Sequence, residues 1–180
     1  MWKSLDTPVN AVVLFMFHLP LANPADPHSL HAAILETLRS ITEGERDLIA
    51  NMANTASVLY HTLPDVNWVG FYCFDGTELV LGPFHGKPAC IRIAMGRGVC
   101  GTAAATRTTQ LVEDVELFPG HIACDAASRS ELVMPMVNND RIIGVLDLDS
   151  PRVGRFTAED ARAMESVVAL LLERSFSVVA

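Results

Sequence analysis

The sequence predicts an α+β domain built on a mostly antiparallel sheet, and three observations lead there. Half of its 180 residues are hydrophobic and they are spread along the whole chain, enough for one sizeable core. Strand-like segments in the middle are joined by hairpin signals, Asp75-Gly76 and Asn138-Asn139-Asp140. Helical periodicity gathers at the two ends, so the terminal helices are expected to pack on one side of the sheet.

The elements follow in order. Asp26-Pro27 reads as an N-cap and a first-turn proline, opening a helix to about Arg39. Thr42 and Glu45 form a capping-box pattern, and Leu48, Met52, Ala56, Leu59 and Tyr60 recur behind it at helical spacing to about His61. Asn67–Phe74 alternates as a strand, and Glu78–Leu81 continues beyond the turn. Cys90–Ala94 is a further short strand, Val99–Thr106 a helix of small residues, and Gln110–Val112 another strand. From Glu113 to Ser128 no periodicity is visible, and loops of that length tend to serve function. Glu131–Val137 and Arg141–Asp149 make a second hairpin. Thr157 and Asp160 then start a terminal helix through Met164, Val167, Val168 and Leu171.

Charge and cysteine usage exclude several classes. The formal charge is −8, from 13 basic and 21 acidic residues, and the basic residues are scattered. Neither a nucleic-acid partner nor an anionic membrane suits that balance. Ala11–Leu19 is apolar but too short to span a bilayer. It is either the core of a signal peptide, against which Asp6, Pro20 and Asn23 count, or part of an N-terminal extension. Residues 1–26 are therefore set apart with no assigned role, and 27–180 are taken as one domain. None of the four cysteines has CxxC spacing, which argues against zinc and for a reducing compartment, the cytoplasm.

Two groups of residues carry chemistry. Asp147 and Asp149, two apart on a strand, share a face about 7 Å apart. A hairpin loop of three or five residues brings Glu131 to that face, and in the three-residue register it lies opposite Asp147. A loop of two or four residues turns it away. Three converging acids repel, so the patch wants a cation, a shared proton or a protonated acid. The alternative is a solvated edge hairpin, against which the run Ile142–Leu146 argues. On Asn67–Phe74, Trp68 and Tyr72 share a face with Gly70 between them. They either wall a small pocket, Gly70 leaving room for a ligand, or are core aromatics.

The second group is the thiols. Cys124 lies on the long loop near His121, Cys90 follows Gly86-Lys87-Pro88-Ala89, and Cys100 sits at a helix start, where unpaired N–H groups favour a thiolate. Cys73, in mid-strand and out of phase with Trp68 and Tyr72, reads as a buried small hydrophobe. Each of the other three also fits burial as a small apolar residue; together, in loop and glycine-flanked settings, they suggest redox chemistry.

Trp68-Val-Gly-Phe-Tyr72, Leu81-Gly-Pro-Phe-His-Gly-Lys-Pro-Ala-Cys90, Gly96-Arg-Gly-Val-Cys-Gly-Thr102, Gly120-His-Ile-Ala-Cys-Asp-Ala-Ala-Ser128, Ser130-Glu131 and Gly144-Val-Leu-Asp-Leu-Asp-Ser150 closely resemble the free methionine-(R)-sulfoxide reductases, which are single GAF-domain enzymes. The resemblance runs from about Thr42 to Leu172, and ordinary GAF sensor domains lack this cysteine set. It implies a GAF-like catalytic domain and reduction of free L-methionine-(R)-sulfoxide. Cys124 would attack the sulfur and become a sulfenic acid, and Cys90 would condense with it to a disulfide. A thioredoxin-type dithiol would reduce that disulfide. Cys100 would be a second resolving thiol or the attacking one.

The same resemblance implies that Glu131 and Asp149 face the sulfoxide oxygen, that Asp147 helps bind the amino group, and that Trp68 and Tyr72 contain the S-methyl end. No bound cofactor or metal is implied, and a homodimer is common in the family. The competing expectation is a non-catalytic GAF module that binds a small ligand or senses redox state.

Overall fold

The computed structural model describes residues 26–121 and 126–176. The N-terminal segment 1–25 and Cys124 lie outside these residues, so the expectations placed on them are not tested by the fold. Among the described residues, no helix is long and apolar enough to cross a membrane.

Among the described residues, six strands form one antiparallel sheet. They are β1 (Trp68–Phe74), β2 (Glu78–His85), β3 (Arg92–Ala94), β4 (Gln110–Val112), β5 (Ser130–Asn138) and β6 (Arg141–Ser150), in the order β3-β2-β1-β6-β5-β4. The helices are α1 (Pro27–Ile41), α2 (Leu48–Thr62), α3 (Gly98–Thr106) and α4 (Ala158–Phe176).

The period of two along β1 decides which residue faces which layer. Val69 and Phe71 point to one side with Leu132, Met134, Leu146 and Leu148, against α1, α2 and α4. Trp68 and Tyr72 point to the other with Val133 and Val145, against α3. The sheet is thus covered on both faces, with α1, α2 and α4 on one side as expected and α3 on the site side. Phe71, Leu132, Leu146 and Leu148 are wholly buried, each contributing about 1.5–3 kcal/mol by removing its apolar surface from water. Cys73 packs at the margin of the first layer and is half-buried, less enclosed than the sequence suggested.

Several boundaries differ from the sequence expectation. Thr42 does not open α2. Its hydroxyl donates to Leu38 O at 2.7 Å and finishes α1, while Asp47 caps α2 by accepting from Ala50 N at 2.8 Å. Glu45 instead accepts from the Arg46 and Asp47 amides, both at 2.7 Å. Thr157 and Asp160 do cap α4 reciprocally, at 2.8 and 3.2 Å.

Asp160 also ties the terminal helices together. It meets His31 Nε2 of α1 at 3.0 Å and Arg155 at 3.3 Å. Burial alone would raise its pKa, but the bonds from His31 and Thr157 with the Arg155 charge hold it at about 2.

Strand β2 runs four residues further than expected, to His85, because a bulge opposite Phe71 absorbs Gly82 and Pro83. Strand β3 begins at Arg92, so Cys90 lies just ahead of it. Within the stretch from Glu113, Val115–Leu117 forms a short 3-10 turn capped by Asp114.

The second hairpin holds the correction that matters most. Its loop is two residues, Asn139 and Asp140, both at positive φ. That length alone would turn Glu131 away from the aspartates. A bulge between Met136 and Val137, with Ile143 as the extra residue, shifts the register by one more position. Glu131 therefore pairs directly with Asp149, not Asp147, and Val133 faces Asp147. The acids still share a face.

Candidate active site

The site is built on the α3 side of the sheet, from two adjacent rows of cross-strand partners. One row runs Trp68, Asp149, Glu131, Val112 and the next Gly70, Asp147, Val133, Gln110. Cys100, in the first turn of α3, descends onto these rows. Its Sγ donates to Asp147 Oδ2 at 3.2 Å and approaches Glu131 Oε1 at 3.8 Å. Cys100, Glu131 and Asp147 are each about 5 % exposed, at 4, 6 and 5 %.

Burial dominates the electrostatics. It pushes the Glu131 carboxyl well above its ordinary value, and the nearby Asp147 and Asp149 push it further. Burial likewise raises Asp147 to about 7, against hydrogen bonds from Cys100 and Glu131 that pull it down. The Cys100 thiol is pushed up by burial and then by Asp147 and Glu131. This overturns the expectation of a helix-start thiolate. A half-charge from a nine-residue helix cannot offset desolvation beside three carboxyls. Cys100 is a protonated thiol that donates to Asp147. His121 brings Nε2 to 3.9 Å from Glu131 Oε2, with burial favouring its neutral form.

One atom of the cluster is left over. Asp147 Oδ1 is fully buried and accepts no hydrogen bond among the described residues, a condition that costs about 1–3 kcal/mol. Such an atom fits a cationic ligand group.

An aromatic wall stands beside the acids. Trp68 stacks on Phe84 with centroids 5.5 Å apart and on Tyr72 at 5.9 Å, and its Nε1 donates to Lys87 O at 3.1 Å. Gly70 does not leave space for a ligand, as the sequence suggested. A Cβ there would overlap the Trp68 ring and Phe84, so the glycine makes room for the indole. Gly86, at φ +130°, turns the chain past the other edge of the same ring. Tyr72 is buried beside the acids, and both effects keep its hydroxyl protonated.

These groups line a pocket of about 540 Å³, counting its open mouth. Lys87, Pro88 and Ala89 form one wall, with Arg97 and Ser128 also on the lining. Cys90 follows that wall directly, is half-buried, and is held in a disulfide, whereas Cys73 and Cys100 are free. Of the predicted site residues, the structure brings together Trp68, Tyr72, Cys100, Glu131, Asp147 and Asp149, and places Cys90 at the end of the wall. Cys124 lies outside the described residues. Phe84 and the approach of His121 to Glu131 were missed. Phe84 could have been found from its place after the Gly82-Pro83 bulge signal; no spacing reveals the His121 contact.

Comparisons with known proteins place the chain in a family. The GAF domain family model matches residues 26–174. The chain is 52 % identical over 141 residues to the free methionine-R-sulfoxide reductase of Escherichia coli, covering 78 % of this chain and 86 % of that one. The free methionine-R-sulfoxide reductase of Neisseria meningitidis, solved in complex with its substrate, superposes with a TM-score of 0.81 at 42 % identity, covering 88 % of this chain and 93 % of that one. The reduced form of the Staphylococcus aureus enzyme gives 0.79 at 42 % identity, covering 88 % and 99 %. By sequence and by fold, the chain belongs to the GAF-domain family and, within it, to the free methionine-(R)-sulfoxide reductases.

Proposed function

We propose that the chain reduces free L-methionine-(R)-sulfoxide to methionine with thiol electrons. The observation that carries this is the buried pair Glu131 and Asp147, with the half-buried Asp149 paired to Glu131, beside a stacked aromatic wall. A sulfoxide sulfur resists attack until its oxygen accepts a proton, and a carboxyl kept neutral near pH 7 supplies one. Glu131, whose neutral form is favoured by burial and by its acidic neighbours, is the natural donor, and Asp149 is its cross-strand partner at the same oxygen. The unpartnered Asp147 Oδ1 suits the substrate ammonium. Trp68 and Tyr72 suit the S-methyl end.

In this mechanism the Cys124 thiolate attacks sulfur, the proton passes from the carboxyl to oxygen, and that oxygen moves to the Cys124 sulfur as the substrate S–O bond breaks and methionine leaves. Cys124 is then a sulfenic acid. Cys90 condenses with it, releasing water and forming a disulfide that two electrons from a thioredoxin-type dithiol reduce. The reading is supported by Cys90 being disulfide-bonded while Cys73 and Cys100 are free. Cys100, held protonated against Asp147, acts here as a positioning residue and not as the nucleophile. A reducing compartment supplies the donor, and no resident cofactor or metal takes part.

An NADPH-coupled thioredoxin assay with separated epimers tests the proposal. Turnover of the free R epimer is expected, with the S epimer and peptide-bound sulfoxide nearly inert. Cys124→Ser abolishes turnover, while Cys90→Ser yields one methionine per chain and then stalls. Binding of the sulfoxide without any turnover would favour a ligand-sensing GAF module instead.

A further inference from the structure

The mechanism gives Cys100 only a supporting place, yet its surroundings have a second chemical capacity. One ligand atom each from Cys100, Glu131 and Asp147 lies within 4.8 Å of the others. A tetrahedral zinc-type ion, with metal–sulfur and metal–oxygen bonds of about 2.3 and 2.0 Å, sets its sulfur and oxygen ligands about 3.5 Å apart. The observed separations from Cys100 Sγ to the two carboxylate oxygens, 3.2 and 3.8 Å, bracket that value. His121 Nε2, 3.9 Å from the other oxygen of Glu131, stands beside this three-atom set and is not part of it. The buried, unpartnered Asp147 Oδ1 is an independent sign that the cluster lacks a cationic partner.

We propose that Cys100, Glu131 and Asp147 form a binding site for a thiophilic divalent cation of the zinc class. The set joins a sulfur to two carboxylate oxygens, which suits zinc or cadmium and not magnesium or calcium. Coordination replaces the thiol proton, which passes to solvent, and the ion's charge relieves the repulsion among the acids. Because Asp147 and Glu131 would also meet substrate, metal and sulfoxide exclude one another. That consequence, unlike the metal site itself, rests on the activity proposed above.

The spacing rules for zinc motifs miss this set, since its members come from α3, β5 and β6 and are 31 and 16 residues apart in the chain.

The disulfide-bonded form of the protein isolates the site, because Cys90 is then blocked as a ligand. Titration with Cd²⁺ alone, in a non-chelating buffer, is expected to saturate at one ion per chain with a thiolate-to-cadmium charge-transfer absorption. Cys73→Ser keeps the absorption, Cys100→Ser removes it, and Asp147→Asn weakens binding at least tenfold. Retention of the absorption in Cys100→Ser, or no absorption in the wild-type chain, would overturn the site. In a second arm, Zn²⁺ added to the turnover assay inhibits, and higher sulfoxide concentration reverses it. Cadmium binding at Cys100 without such inhibition leaves the metal site standing and overturns the mutual exclusion.

Discussion

Asp147→Asn is expected to make this protein more stable at pH 8, with a smaller gain at pH 5 that disappears below about pH 4. Asp147 has an ordinary value of 3.8, raised to about 7 in the native state, chiefly by burial. Between those limits the folded chain holds a proton that the unfolded chain has released. Stability therefore falls as pH rises through this window, the reverse of the usual carboxylate case. The displacement corresponds to a ceiling of ~4 kcal/mol once Asp147 is fully ionised in the folded chain. Relaxation around the charge and its coupling to Glu131 reduce what a single substitution recovers.

Asparagine cannot ionise, has nearly the shape of the neutral acid, and keeps a carbonyl to accept from Cys100. We expect a gain of ~2 kcal/mol or more at pH 8, roughly 4–8 °C in Tm for a domain of this size. Urea denaturation of the disulfide-bonded form at both pH values measures it. Glu131, also raised, accounts for the slope that remains, and Glu131→Gln combined with Asp147→Asn flattens it further. A variant equally destabilised at pH 5 and pH 8, or one that keeps the whole wild-type slope, would refute the reasoning.

Three further substitutions test separate parts of the account. Asp149→Asn is expected to lower kcat by about 10²–10⁴ if this carboxyl assists the proton transfer, with urea stability changed by less than ~1 kcal/mol; lost folding would instead make the residue structural. Gly70→Ala forces the Trp68 ring off its stack on Phe84, so KM rises, Trp fluorescence changes and stability falls by ~1–3 kcal/mol; unchanged fluorescence would contradict the packing. His31→Leu removes one partner of the buried Asp160, on the face of the sheet away from the site. It costs ~1–3 kcal/mol at pH 7 without altering kcat/KM. Since Asp160 is held down at about 2, its contribution is present above its ordinary 3.8 and disappears only as pH falls toward 2.

What the sequence disclosed depended on how local the determinant was. Alternation in Asn67–Phe74 and Arg141–Asp149 placed Trp68, Tyr72, Asp147 and Asp149 on correct faces, because side-chain direction in a strand is a property of the strand itself. The register of Glu131 was not local in that sense. It depended on a bulge at Ile143 acting together with a two-residue turn, and two single-residue shifts restored the face while changing the partner. Thr42 and Glu45 matched a capping pattern, yet the chain used Thr42 to end α1, since its hydroxyl found Leu38 O first. For Cys100 the error was one of magnitude. The helix terminus was visible in Gly96-Arg97-Gly98, but the three carboxyls beneath it arrive from β5 and β6, and only tertiary packing shows that their field prevails.

The account rests on a proton retained at neutral pH by a buried acid in the pocket. Difference infrared spectroscopy of the wild-type chain against Glu131→Gln, at pH 7 with carboxyl-labelled Glu and Asp, measures that proton directly. A protonated-carboxyl band from labelled Glu, distinct from that of Asp147, present in the wild type and absent from Glu131→Gln is the predicted result; Glu131 fully ionised at pH 7, with only carboxylate bands in its place, would contradict it.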